Sequence, residues 1–241
     1  RRHTRLQGDW SSDVCSSDLT NDQLKAMADA PEFTCVVADE QTAGRGRRDR
    51  TWHSAPGEGL YLSVLLRPRD PVSWKIPLLS LMAGVTVAET LLDLGAEADI
   101  KWPNDVLLRG RKVCGILVEG VASGGETRVI LGIGVNLNHA SFPGELQATA
   151  TSLRIELGRA VDGEGVRDRL LARIAHWYDL WRREDPRWVL DRWEQLSSTA
   201  HGQRVLVSLD GEQFAGVTEG LTNEGALQLR TDDGKIGRAH V

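Results

Sequence analysis

The sequence predicts an α/β (α+β) chain with a second, smaller β domain at its end. Three observations carry this. Glycine-interrupted apolar runs of strand composition lie on both sides of a stretch, 74–94, that is apolar nearly all round. Leu170, Ile174, Trp177 and Trp181 recur at helical spacing. From Gln203 the chain breaks into short strands separated by turn signals.

Taken in order, Thr20-Asn21-Asp22 cap a short helix that Pro31 ends. Thr34–Ala38 (TCVVA) is a buried strand, and Gly59–Arg67 (GLYLSVLLR) is another, punctuated by Pro68 and Pro71. Within Trp74–Leu94 only Lys75, Ser80, Thr86, Glu89, Thr90 and Asp93 are strongly polar, so this helix is expected to lie buried against a sheet. Ile100–Leu108 is extended and interrupted at Pro103, Gly110 marks a hairpin turn, and Lys112–Val121 returns as a strand. Ser123–Glu126 turn the chain into a further strand, Thr127–Leu137, so three strands form an antiparallel meander. Gly115, Gly132 and Gly134 sit inside these strands, where glycine often marks a bulge or the close approach of a ligand. Val166–Arg183 is an amphipathic helix, Pro186 breaks it, and Trp188–Leu196 is the next, with the aromatics assigned to the core. RVLVSL, QFAGVTEGL and ALQLR then make a small β-barrel of Greek-key or SH3-like kind.

Both termini read as foreign. Residues 1–19 back-translate into a run that resembles a short-read sequencing adapter, with Leu6, Gln7 and Gly8 filling its index, and Lys235–Val241 resemble the partner adapter. The expected organisation is therefore 1–19 adapter, 20–198 main domain, 199–235 a truncated β domain lacking at least one strand, and 236–241 adapter. Residues 1–19 hold three Arg and three Asp, so only Arg238 alters the net charge of −5 when these ends are set aside.

A mildly acidic balance argues against general nucleic-acid binding. Cys35 and Cys114, without metal-ligand spacing around them, suit a reducing cytosol. No apolar run approaches the roughly 20 residues that span a bilayer. Against this background the stretch from Gln41 to Pro68 stands out. Arg45, Arg47, Arg48 and Arg50 crowd a loop with Gly44 and Gly46 between them, followed by Trp52. Glycines let backbone approach a ligand closely, and arginine forks grip phosphate or carboxylate. Taken alone, the loop suits either a lid over an anion or a solvated basic patch.

Four motifs set the loop in context: QTAGRGR at 41–47, KWPND at 101–105, RKVCGILVE at 111–119 and GIGVNLN at 132–138. In this order and spacing the chain resembles the bacterial biotin protein ligases over essentially all of Thr20–Gly234. The resemblance implies a mixed-sheet, class II synthetase-like catalytic domain followed by an SH3-like domain. It also implies a two-step ligation: biotin and ATP give biotinyl-5′-adenylate, and a lysine of the biotin carboxyl carrier protein then displaces AMP.

By the same resemblance Lys112, Arg47, Asp105 and Lys101 are the catalytic candidates. Thr20, Asn21, Gln41, Gly44, Arg45, Gly46, Arg47, Lys112 and Gly115 are candidates for binding biotin. Arg45, Arg50, Trp52, Asn104 and Asn136 are candidates for ATP. Lys112, aimed from a strand end, is expected to stabilise charge between carboxylate and α-phosphate. Asp105 is the candidate for holding Mg²⁺ through water, with an ion pair to Lys101 as the alternative; no direct protein metal site is expected. Thr20, Asn21 and Gln41 offer neutral donors and acceptors to the biotin ureido ring. The loop at 44–50 is expected to order over ligand. The family's usual Gly is Asp49 here, and an acidic residue there could restrict the loop or pair with a neighbouring Arg. Leu19 stands where the family has Ser. Lipoate ligation is the nearest alternative activity. Some members also bind DNA as adenylate-loaded dimers through an N-terminal helix-turn-helix, so a homodimer and DNA depend on what precedes Thr20.

Overall fold

The computed structural model describes residues 16–17, 19–47, 51–68, 76–123, 126–183, 187–209 and 212–239. Pro71, the 74–75 start of the apolar stretch, Gly124-Gly125, Pro186 and Asp210-Gly211 lie outside them. Strand β1 is Ser16–Ser17, helix α1 Thr20–Ala26, β2 Cys35–Ala38, β3 Glu40–Gln41 and β4 Gly59–Leu66. Helix α2, Ile76–Asp93, leads to β5 Ala98–Lys101, β6 Asp105–Leu108, β7 Arg111–Ser123 and β8 Glu126–Asn136. Two short helices follow, α3 Leu146–Thr149 and α4 Leu153–Leu157, then the longer α5 Gly163–Arg183 and α6 Arg187–Gln195. The last strands are β9 His201–Leu209, β10 Glu212–Leu221, β11 Leu227–Arg230 and β12 Ile236–Ala239.

The main sheet runs β2-β4-β8-β7-β6-β5. Each of its ladders is antiparallel, and parallel pairing is confined, among the described residues, to β1 with β3 and a bridge from Lys112 to Ala150. The expected meander therefore holds and gains a strand, because the extended run broken at Pro103 is itself a hairpin, β5–β6, turning at Trp102–Asn104.

Alternation divides the sheet's two faces. Leu62, Val64, Val129, Leu131, Ile133, Cys114 and Ile116 point into the large core, where α2 is buried as its composition predicts. α5 and α6 close the other side of α2 with Tyr178, Trp181 and Trp193 buried, while Trp177 is half-buried and stacks on Trp188 with centroids 4.5 Å apart. Burying aromatic side chains supplies much of a core's stabilisation. On the opposite face Leu24 of α1 packs on Val36, Leu65 and Ile130, which fixes α1 across the sheet.

The C-terminal strands form an antiparallel sheet in the order β12-β11-β10-β9. Its small core of Leu227, Leu229 and Ala239 also packs Trp102, whose Nε1 donates to Gly225 O at 3.1 Å. The turn that links β5 to β6 thus ties the C-terminal sheet to the main one. Ile236–Ala239, from the segment resembling an adapter, pair with β11; backbone pairing places little demand on side-chain identity.

Candidate active site

The sheet face turned away from α2 carries a row of cross-strand neighbours: Tyr61, Gly134, Gly115, Asp105, Lys101. A cavity of about 270 Å³ opens above this row and the adjacent one. That size lies near the lower end for small-molecule sites.

The strand glycines make its floor. A Cβ on Gly115 would lie 2.8 Å from the Trp52 ring, and one on Gly134 would lie 3.0 Å from it. The indole therefore rests on the bare Gly115–Gly134 pair, a cross-strand pair by register. The Lys112 ammonium stands 5.2 Å from the Trp52 ring centroid, within cation–π range.

Lys112 reaches this floor because of a register shift. Leu107 faces Lys112 but Val106 faces Cys114, so β7 holds one extra residue between them. Without that bulge, strand alternation would send Lys112 and Gly115 to opposite faces; with it they share one. The Lys112 Nζ then pairs with Asp105 Oδ1 at 2.6 Å. The alternative partner, Lys101, makes no ion pair among the described residues; it is exposed at the end of β5. The backbone of Lys112 is also held. Thr151 N donates to Lys112 O at 2.9 Å. The Thr151 hydroxyl donates to Glu156 Oε1 at 2.6 Å, and Arg111 Nη2 reaches the same oxygen at 2.6 Å.

At the opposite end, Thr20, Asn21 and Gln41 line the wall with Leu19. Asn21 is buried, and a Cβ on Gly132 would lie 2.3 Å from its Oδ1, so this glycine makes room for a protein side chain. The Asn21 Nδ2 donates to Glu119 Oε2 at 2.7 Å, and the Ser63 hydroxyl donates to Asn21 Oδ1. Leu19 occupies the N-cap of α1, with extended backbone and no side-chain cap bond.

The described part of the loop is pinned at its base. Trp52 N donates to Gly44 O at 2.9 Å, and Arg45 bridges to Thr51. Arg45, Gly46 and Arg47 line the cavity. The Arg45 guanidinium pairs with Asp22 Oδ2 of α1 at 2.5 Å, an exposed contact. Arg48, Asp49 and Arg50 lie outside the described residues.

Of the candidates named from sequence, Thr20, Asn21, Gln41, Arg45, Gly46, Arg47, Trp52, Asn104, Asp105, Lys112 and Gly115 come together around this one cavity. Three others sit behind or beside it. Gly44 is buried under Trp52, Lys101 lies one step beyond Asp105, and Asn136 is buried with its Nδ2 donating to Thr151 O at 3.0 Å. Asn136 thus braces the segment that holds Lys112. Sequence reasoning missed Ser63, Thr151 and Glu156, and gave Glu119 no role. A lone serine inside the apolar run LYLSVLL was the one available signal, since a buried hydroxyl needs a partner.

Asp105 is the one carboxylate among the described lining residues, and no group of three metal-ligating side chains occurs among the described residues. A single carboxylate fits Mg²⁺ that arrives with substrate phosphates. The two described cysteines are buried, which pushes the Cys35 thiol up to about 12 and Cys114 well above the ordinary thiol range, so neither is an activated nucleophile.

The sequence model of the biotin/lipoate A/B protein ligase family matches residues 13–136, and that of the biotin protein ligase C-terminal domain matches residues 200–238. The chain is 40% identical to the bifunctional ligase/repressor BirA of Bacillus spizizenii over 226 residues, covering 92% of this chain and 69% of that protein. It is 36% identical to the biotin–[acetyl-CoA-carboxylase] ligase of Mycobacterium tuberculosis over 225 residues, covering 90% of this chain and 81% of that protein. Among solved structures, it resembles a biotin protein ligase from Aquifex aeolicus in complex with biotin and ATP. That likeness has a TM-score of 0.83 at 30% identity and covers 93% of each chain.

Proposed function

The chain belongs to the biotin/lipoate A/B protein ligase family, and from that premise we propose that it activates biotin with ATP and transfers it to a lysine of a biotin carboxyl carrier protein. The observation that carries the proposal is the joining, in one cavity, of a neutral polar end and a cationic end. Thr20, Asn21 and Gln41 form the first; Lys112 marks the second, and Arg45 and Arg47 line the same cavity. A neutral ureido ring linked through an aliphatic arm to a carboxylate fits that polarity. The match to the biotin protein ligase C-terminal domain favours biotin over lipoate.

In the first step a biotin carboxylate oxygen bonds to the α-phosphorus of ATP as the bond to pyrophosphate breaks. Negative charge gathers between carboxylate and phosphate, where Lys112 supplies a fixed ammonium. Asp105 keeps that ammonium aimed in the absence of ligand. Arg45, Gly46 and Arg47, with Gly44 at the hinge, close over the anhydride, and Arg45 exchanges Asp22 for the ligand's anion. Trp52 turns from its glycine floor to stack on adenine, with Asn104 and Arg50 on the nucleotide and Asn136 acting through Thr151. Gly115 leaves room for the biotin arm once the indole moves. Lys101 lies at the triphosphate end. Mg²⁺ bound beside Asp105 would neutralise phosphate charge. In the second step a carrier lysine amine attacks the biotinyl carbonyl carbon, AMP leaves with the bonding pair, and the amine loses a proton.

The protein acts in the cytoplasm by this proposal; among the described residues no helix is long and apolar enough to cross a membrane. A homodimer and DNA binding, the latter suggested by the ligase/repressor name of the Bacillus relative, are secondary proposals that the native sequence upstream of Thr20 decides. Exchange of labelled pyrophosphate into ATP tests the first step. Exchange that requires biotin supports it, and exchange without biotin, or none with it, contradicts it.

A further inference from the structure

Behind the polar end of the cavity lies a chain of hydrogen bonds, buried at its centre and partly exposed at its Lys25–Glu119 end, to which the motif reading gave no role. Glu119 on β7 accepts from Asn21 Nδ2 at 2.7 Å through one oxygen and from Lys25 Nζ at 2.7 Å through the other. Asn21 Oδ1 meets the Ser63 hydroxyl, which also lies 2.7 Å from Thr20 Oγ1. Thr20 Oγ1 and Thr20 N both lie 3.3 Å from Gln41 Oε1. Thr20, Asn21 and Ser63 are at most 3% exposed.

The chemistry of this chain fixes its direction. An ionised carboxylate only accepts, so the Asn21 amide must turn its NH₂ to Glu119 and its oxygen to Ser63. Amide oxygen carries no proton, so the single Ser63 proton is committed to Asn21. The Thr20 proton can then go to Ser63 Oγ at 2.7 Å or to Gln41 Oε1 at 3.3 Å, and the shorter contact takes it. Thr20 Oγ1 is left with lone pairs facing the cavity, ready to accept from a ligand N–H. Lys25 pairs with Glu119 and holds it oriented; burial lowers the Lys25 pKa, but bonds to Glu119 and Asp22 outweigh this and raise it.

We propose that Glu119 is a positioning residue: acting through Asn21 and Ser63, it sets Thr20 as a hydrogen-bond acceptor and so selects the N–H edge of a cyclic urea. This rests on biotin being the substrate. Lipoate's dithiolane has no N–H to offer, so the same chain disfavours it.

The test compares Glu119→Ala, Glu119→Gln and Ser63→Ala with the unaltered chain, measuring biotin and ATP dissociation constants by calorimetry and the melting temperature of each ligand-free protein. Loss of a buried partner should weaken biotin binding roughly ten-fold or more in Glu119→Ala and Ser63→Ala. ATP binding should change less than about two-fold, because Lys112 and Asp105 lie at the far end. Glu119→Gln keeps one acceptor for Asn21 and should recover part of the loss. A purely structural role would instead weaken both ligands together and in step with melting temperature. Equal loss for both ligands, or biotin binding by Glu119→Ala and Ser63→Ala within about two-fold of the unaltered chain, overturns the inference. Should Glu119→Ala not fold, Ser63→Ala, which only deletes an oxygen, decides the matter by the same comparison. Failure of the unaltered chain to bind biotin would instead refute the substrate, and with it this inference.

Discussion

Replacing Gly132 by alanine should damage stability and biotin binding together. The added Cβ would lie 2.3 Å from Asn21 Oδ1 and 3.0 Å from its Cγ and Nδ2, where ordinary contact begins near 3.4 Å. Asn21 is 1% exposed and held between Glu119 and Ser63, so it must move by about 1 Å against both bonds. Overpacking costs about 1–3 kcal/mol. The two strained hydrogen bonds add about 1 kcal/mol each, giving a total of about 3–5 kcal/mol. For a chain of this length that lowers the melting temperature by roughly 6–20 °C. Gly134→Ala is the control, because its Cβ meets only side-chain ring atoms of Trp52, at 3.0 Å, and that half-buried ring need give by only a few tenths of an ångström. Calorimetric melting with and without biotin reads the effect. A Gly132→Ala protein that melts with the unaltered one, or that loses no more than Gly134→Ala, would refute the packing described for Asn21.

Lys112→Gln should slow adenylate formation by about 10²–10³-fold, the range for removing one fixed charge-stabilising donor, as read from single-turnover pyrophosphate release. Leu19→Ser should tighten biotin binding about ten-fold by restoring a donor at a buried, cavity-lining cap position that now has no side-chain bond; equal binding by both chains would contradict it. His139 is buried, and burial holds its pKa below the usual 6.5, with the Glu58 carboxylate partly opposing this and His53 adding to it. The unfolded chain therefore binds the extra proton first, so stability is level above pH 6.5 and falls as pH drops through that value toward the folded pKa. His139→Phe, stacking in its place on Phe142, should flatten this decline between about pH 7.5 and about pH 5.5 in urea unfolding.

Much of the site was legible because its residues are local. The glycines at 115, 132 and 134 announced close approach, and they receive Trp52 and Asn21. The turn at Gly110 placed Lys112 at a strand end. What could not be read depends on register and distant contacts. The extra residue in β7 that turns Lys112 onto the face of Gly115 has no signature in RKVCGILVE. Asp105 could have paired with Lys101, its cross-strand neighbour, and only the bulge makes Lys112 the partner. Asn136, an ATP candidate by motif, also braces Thr151 through its amide, a contact to a segment with no periodic pattern. The small helices α3 and α4 were equally silent, being too short to show a face.

Whether this cavity makes an acyl-adenylate of biotin for a carrier lysine is tested most directly by labelled transfer. The chain would be incubated with ATP, an apo carrier domain and either labelled biotin or labelled lipoate. The expected result is label from biotin on a single carrier lysine, with AMP released in equal amount, and none from lipoate. Label from lipoate instead, or none from either with the carrier intact, would contradict it.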